Sequence, residues 1–203
     1  MENKGPRCAP ARFTYDVDGD GLFRGDPDVR LRRCVLAFAL ILVLTAVAGA
    51  PARAGADADD PAFVSLGLGY YDINRRTDEA VDFRLEYRHG EKLWIFKPWV
   101  GIEGTSDGTL YAAGGILVDV FFGRRVVVTG SFGAGYYEQG SGKDLGHELE
   151  FRSQIEIAYR FDDRSRLGLA FSHISNASIA DVNPGVEILT LYYSIPLTRL
   201  LGE

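Results

Sequence analysis

Large apolar residues alternate with polar or very small ones along most of this chain, and no other feature restricts its fold so tightly. From Ala62 onward the alternation recurs in nearly every segment. In 64–70, Val64, Leu66, Leu68 and Tyr70 alternate with Ser65, Gly67 and Gly69. In 81–88, Val81, Phe83, Leu85 and Tyr87 oppose Asp82, Arg84, Glu86 and Arg88. In 151–160, Phe151, Ile155, Ile157 and Tyr159 oppose Arg152, Gln154, Glu156 and Arg160. A period of two is that of a β-strand, whose successive side chains point to opposite faces. Segments 110–122 and 126–136 alternate apolar with small residues through Gly114, Gly115, Gly130, Gly133 and Gly135. Segment 93–104 is interrupted by Lys97 and Pro98, and 165–175 and 186–197 complete eight predicted strands.

Periodicity alone does not say which face is inside. A soluble barrel turns its apolar face inward, whereas a membrane barrel turns it toward lipid and encloses the polar one. Three features select the membrane form. The first is an export signal at 30–56: Arg30-Leu31-Arg32-Arg33, a thirteen-residue apolar stretch from Val35 to Val47, then a tail of Ala, Gly and Pro. This is the order of a secretory signal peptide, with cleavage expected after Ala54 or Ala56. The second is that both cysteines, Cys8 and Cys34, precede the expected cut. The third is the predicted connections, which alternate short (89–92, 123–125, 162–165) with long (74–79, 104–109, 138–147, 176–186). Short periplasmic turns with longer external loops mark outer-membrane barrels.

The expected organisation is therefore an N-terminal extension at 1–29, a signal peptide at 30–56 and an all-β domain at 57–203. That domain is an eight-stranded antiparallel up-and-down transmembrane β-barrel in the outer membrane of a Gram-negative cell. The extension is read as a start assigned upstream of the true one, or as a genuine addition. Its Asp16-Val17-Asp18-Gly19-Asp20-Gly21 resembles an EF-hand opening, but Pro27 stands where the bidentate Glu belongs. An eight-stranded barrel is filled by side chains and is no pore. Arg84, Glu86, Arg88, Asp119, Arg152, Glu156 and Arg160 are expected inside, paired with one another, because buried charges persist only when paired.

The net charge of −6 argues against nucleic acid as a partner. Two cysteines give neither a disulfide framework nor a zinc cluster, and no metal or cofactor is expected. His89 and His147 have no second imidazole at ligand spacing. Gly140-Ser141-Gly142-Lys143 lacks the first Gly and the closing Ser/Thr of a phosphate loop. Gly130-Ser131-Phe132-Gly133 is no nucleophile elbow. Trp94 and Trp99 are assigned to interfacial aromatic girdles.

One histidine breaks the pattern. Leu167, Leu169 and Phe171 are the apolar positions of the seventh strand, and their parity continues to His173 and Ser175. In the eighth strand the parity of Leu189, Leu191, Tyr193 and Ile195 extends back to Glu187. All three polar residues thus project from the outer wall, near the external rim of one hairpin. A hydroxyl needs a base to become nucleophilic at neutral pH, and the base needs an acceptor that fixes its tautomer.

The stretch Ser172-His173-Ile174-Ser175-Asn176-Ala177, followed by Asn183-Pro184-Gly185-Val186-Glu187, resembles the lipid A 3-O-deacylases of the PagL type. The close resemblance covers 167–197. It implies an outer-membrane serine hydrolase that cleaves the ester-linked 3-hydroxyacyl chain of lipid A through a Ser-His-Glu triad. Ser175 is implied as nucleophile, His173 as base, Glu187 as orienting acid, and Asn176 or Asn183 as oxyanion donor. The implied partners are lipopolysaccharide and membrane lipid, with a homo-oligomer left open. The chain departs from the family's aromatic C-terminus, continuing as Thr198-Arg199-Leu200-Leu201-Gly202-Glu203. Two other readings are a structural or adhesion barrel without catalysis and a soluble periplasmic lipid carrier.

Overall fold

The computed structural model describes residues 60–202. The extension, the signal peptide, the EF-hand-like stretch and both cysteines lie outside the described residues. Strands β1 (Phe63–Tyr71), β2 (Ala80–Arg88), β3 (Lys97–Thr105) and β4 (Leu110–Phe122) form the first half of the sheet. Strands β5 (Val126–Glu138), β6 (Leu149–Arg160), β7 (Arg166–Ser175) and β8 (Val186–Pro196) form the second. A short helix α1 (Leu197–Leu201) follows. Each strand pairs antiparallel with the next, and β1 pairs with β8 from Phe63↔Pro196 to Tyr71↔Ile188, so the sheet closes into an eight-stranded barrel. Closure leaves no unpaired sheet edge, which the hydrocarbon of a bilayer would not tolerate.

The alternation sorts as expected for a membrane barrel. Leu66, Leu68, Phe83, Phe132, Ile155, Ile157, Leu169 and Leu191 are exposed on the outer wall, while Arg84, Glu86, Arg88, Arg152, Glu156 and Arg160 are buried in the lumen. The lumen is layered. At the end where the chain enters, Lys97 Nζ binds Asp60 (2.8 Å) and Asp119 (3.0 Å), and Arg166 reaches the same two carboxylates. Higher up, Arg88 binds Glu156 (2.8 Å) and Arg152 binds Glu86 (2.6 Å). Above these, Arg84 lies 2.7 Å from Asp82 and 3.0 Å from Glu103. Tyr71, Ala80, Tyr111, Tyr137, Leu145, Ile174, Val186 and Ile188 form an apolar plug over this network at the opposite mouth. Leu145 comes from the β5–β6 loop, which folds over that mouth.

Two expectations are corrected. The β2–β3 connection runs from 89 to 96 and exceeds the external 106–109 connection, so the short–long alternation of loops is not strict. The irregular start of segment 93–104 is this connection, and Lys97 opens the strand proper as an inward residue. Trp99 is also no girdle residue. It sits inside the barrel at 2% exposure, beneath the Arg152 guanidinium 4.1 Å from its ring. The period-two register that carries Lys97 inward carries Trp99 with it, and the cation–π contact satisfies an arginine the lumen must bury. Trp94, in the connection, is exposed.

Candidate active site

The outer rim of the β7–β8 hairpin departs from the apolar wall. Along β7, buried and lipid-side residues alternate strictly, with Ser172 and Ile174 inward and Phe171, His173 and Ser175 outward. Ile174, wholly buried in the apolar plug, fixes the strand's rotation at this height and so aims its two neighbours out of the barrel. On β8, Val186 and Ile188 are buried on either side of Glu187 and do the same for the carboxylate.

The register places His173 directly opposite Glu187. Facing positions on adjacent strands bring Cβ atoms to roughly 4.5–5.5 Å, within reach of a side-chain hydrogen bond. His173 Nδ1 lies 3.1 Å from Glu187 Oε1, the geometry of an Nδ1–H donating to the carboxylate. That tautomer leaves the Nε2 lone pair free to accept a proton. The side chains are 43% and 19% exposed, so the pair opens to the lipid side while its acid is mostly shielded. Glu187 Oε2 is buried with no other partner among the described residues, so the carboxylate serves the imidazole alone.

Gly185 fits against the ring. A Cβ there would lie 2.8 Å from His173 Cε1 and 3.4 Å from Nε2, and the residue has φ +63. Glycine is therefore required on two counts, backbone conformation and space for the imidazole. Because Gly185 closes the loop that begins after Ser175, the Cε1–Nε2 edge faces that loop. Ser175 stands two positions beyond His173 on the same face, roughly 7 Å further along the strand.

Asn176 is buried, and its amide is fully engaged. Nδ2 donates to Leu145 O and to Val182 O, both at 2.8 Å, while Oδ1 accepts the Ser178 N–H at 2.9 Å. Its backbone N–H donates to Asn183 Oδ1 at 3.1 Å. Asn176 thus binds together the loop carrying the nucleophile candidate and the loop plugging the barrel. Asn183, on the exposed loop, donates from Nδ2 to Ser178 Oγ at 3.3 Å and keeps a second amide hydrogen.

Below this rim, a groove of about 540 Å3 runs across the outer wall. Phe96, Ile116, Gly130, Phe132, Ile155 and Phe171 line it, and His173 stands at its β7 end. From β7 to β4 it crosses three inter-strand steps, or roughly 14 Å at about 4.8 Å each, and ends at Phe96 of the β2–β3 connection. Its floor is low at Gly130, where a Cβ would meet nothing within 4 Å.

Outside the membrane-spanning strands, Asp72 is a second polar centre. Burial pushes its carboxyl up, but the Lys143 ammonium and the Thr77 and Asp78 donors together outweigh this and hold it below the usual carboxylate range. No group of three or more metal-ligating side chains occurs among the described residues.

The sequence pattern singled out His173, Ser175 and Glu187, and the fold brings His173 and Glu187 together at one rim with the serine above them. It missed Gly185 as the seat of the ring, the bridge from Asn176 to Leu145, the groove, and Lys143 as partner of Asp72. Only Gly185 carried a signal, since Asn-Pro-Gly marks a turn with a positive φ.

A closed membrane barrel with a carboxylate–imidazole pair and a hydroxyl on its lipid-facing wall defines the class: an outer-membrane barrel whose candidate site stands outside the cylinder. Residues 76–196, more than half of the chain, match the family model "Lipid A 3-O-deacylase (PagL)". The chain belongs to that family. It is 29% identical over 99 residues to the lipid A deacylase PagL of Bordetella bronchiseptica, a match covering 47% of this chain and 56% of that protein. It is 33% identical over 55 residues to the lipid A deacylase PagL of Pseudomonas aeruginosa, covering 27% of this chain and 32% of that protein. The chain thus spans about half, or less, of the curated relatives it matches. Among solved structures, that of the outer membrane enzyme PagL superposes with a TM-score of 0.55 at 20% identity, covering 66% of this chain and 99% of that one. A designed transmembrane β-barrel superposes at 0.50 with 12% identity, covering 67% and 94%. These two likenesses concern the fold.

Proposed function

We propose that this chain is a lipid A 3-O-deacylase working as a serine esterase from the lipid-facing wall of the barrel. The observation that carries this reading is the His173–Glu187 pair, 3.1 Å apart on the outer wall at the end of an apolar groove. A carboxylate and an imidazole facing hydrocarbon are costly unless they serve a purpose. A hydroxyl on the same face supplies the purpose.

Ser175 Oγ attacks the ester carbonyl carbon while His173 Nε2 takes its proton. Glu187 fixes the ring and stabilises the imidazolium that forms. The tetrahedral intermediate collapses when the bond to the sugar oxygen breaks and the imidazolium returns the proton to that oxygen. Water then attacks the acyl-serine with His173 again as base, and a 3-hydroxy fatty acid leaves. Asn183 Nδ2 is the better oxyanion donor of the two asparagines, since Asn176 has no hydrogen left to give. One such donor contributes roughly 2.7–4 kcal/mol to the transition state. The groove holds the departing acyl chain, which passes from bilayer to site without leaving an apolar surface. That confinement supplies orientation otherwise taken from binding energy. The signal peptide at 30–56 exports the chain to this membrane.

Mass spectrometry of lipid A incubated with the purified barrel tests the reading. Loss of one hydroxyacyl mass with the wild type and none with Ser175→Ala is expected. Intact lipid A with the wild type, or equal shortening by both proteins, would leave a non-catalytic barrel as the better account.

A further inference from the structure

A buried ion pair outside the lumen network ties together the two loops that support the candidate hairpin. Asp72 follows β1, and Lys143 lies in the β5–β6 loop. The carboxylate and ammonium meet at 2.5 Å with side chains 0% and 6% exposed. Neither belongs to a strand, so neither contributes a rung to the barrel's ladder.

Each member stands beside a contact to the candidate site. Ile73, the residue after Asp72, donates its backbone N–H to Glu187 O at 3.0 Å. Leu145, two residues after Lys143, offers its carbonyl to Asn176 Nδ2 at 2.8 Å, and Asn176 directly follows Ser175. The loop has little freedom between these points. Tyr137 Oη donates to Lys143 O (2.7 Å) and meets Tyr71 Oη at 2.9 Å, and the Leu145 side chain is buried in the apolar plug. Gly146 presses on the β7–β8 loop so closely that a Cβ would lie 2.2 Å from Val182 O. Asp72 is held in turn: Oδ2 accepts from the backbone N–H of Thr77 (2.9 Å) and of Asp78 (3.1 Å) and from Thr77 Oγ1 (2.9 Å).

We propose that the Asp72–Lys143 ion pair is a positioning device for the ester hydrolysis, clamping the backbone support of Glu187 to the backbone support of Ser175 across the barrel mouth. The inference rests on the reading of Ser175 as nucleophile. His173 and Glu187 are already joined by their own hydrogen bond and by strand register. Ser175, the last residue of β7, makes no hydrogen bond to the imidazole and pairs with Phe151 of β6 but with no residue of β8, so on the β8 side its position is set by the turn that Asn176 anchors. Lys143 and Asp72 touch no substrate, so they act through that turn.

The test compares wild type, Ser175→Ala, Lys143→Met and Lys143→Arg in detergent micelles with lipid A as substrate, after the heat-modifiable gel mobility of the folded barrel is verified for each. Lys143→Met is expected to lower kcat at least tenfold with KM changed less than threefold, and Lys143→Arg to recover most of the loss. Adding Asn176→Ala to Lys143→Met is expected to do no more than Asn176→Ala alone, because both release the same turn. A smaller fall in kcat, or a rise in KM at constant kcat, overturns the proposal, since a structural brace or a substrate contact would give those results. If Lys143→Met does not fold, the near-isosteric Asp72→Asn takes its place under the same criteria. Failure of both to fold also overturns it, as the pair would then belong to barrel assembly. Activity surviving in Ser175→Ala would refute the nucleophile assignment instead, whereas a dead Ser175→Ala beside a fully active Lys143→Met would refute the clamp alone.

Discussion

Charged side chains occur in two settings in this barrel, and they are arranged oppositely. In the lumen most carboxylates lie against cations: Glu86 receives Arg152, Arg88 and Tyr192, and Asp119 receives Lys97, Arg166 and Thr129, while buried Glu150 is the exception, with neither oxygen hydrogen-bonded. On the outer wall Glu187 has one partner, His173, whose Nε2 is left over. The lumen groups are walled in and held among counter-charges, so even an oxygen that accepts no hydrogen bond, such as Glu156 Oε1 or Asp82 Oδ1, meets no reactant. On the proposed mechanism the wall pair is reactive because its free Nε2 lies on the open, lipid-facing side of the barrel. Ionisable residues inside the bilayer's span are therefore read by whether a free lone pair faces lipid or the closed lumen, more than by their number.

Removing the reactive set should cost activity and leave the barrel intact. Ser175→Ala and His173→Ala are each expected to lower the deacylation rate by roughly 10^4-fold or more, as loss of a nucleophile or its base does elsewhere. Retention of a tenth of the rate by either would break the contrast. Glu187→Gln should cost roughly 10^2–10^4-fold, because the ring loses its fixed tautomer while the shape is kept. Gly185→Ala sharpens the same point without touching a reactive atom: its Cβ displaces the imidazole, so kcat should fall roughly ten- to hundredfold. Wild-type kinetics there would mean that the ring has another seat.

The lumen should respond in the other way. Arg152→Met takes one cation from each of the buried Glu86 and Glu103 carboxylates, and up to roughly 3–5 kcal/mol of stability should be lost in urea unfolding. The deacylation rate per folded molecule should stay within twofold. A variant stable as wild type but inactive would reverse the assignment of the two regions.

The smallest effect concerns acid. Asp72 has a lowered folded-state pKa, so its ionised form stabilises the loops fully above the ordinary value of about 3.9, and that contribution is lost as pH falls through the lower folded value. Pepsin should therefore spare the 139–148 loop near pH ~4 and cut it increasingly as the pH is lowered from there, after correction with an unfolded reference peptide. Equal cutting throughout would remove the ion pair from the account.

The strands were legible because a bilayer imposes a period of two on both faces at once. Seven luminal ionised residues, from Arg84 to Arg160, were assigned correctly on parity alone. So was the outward projection of His173, Ser175 and Glu187, since strand parity carries to the last ladder pair. Trp99 was misplaced because an aromatic residue satisfies a girdle and a cation–π contact equally well, and only the true start of β3 decides between them. Lys143, Leu145 and Asn176 were beyond reach for a different reason. Their partners lie 71, 31 and 6 residues away in loops, where no periodicity links one residue to another.

Peptide mapping after exposure of the membrane-embedded barrel to a fluorophosphonate tests the outer-wall nucleophile most directly. A single phosphonyl adduct on Ser175, absent from His173→Ala, is the result this account predicts. An adduct on any other residue, or labelling of Ser175 that persists without the imidazole, would contradict it.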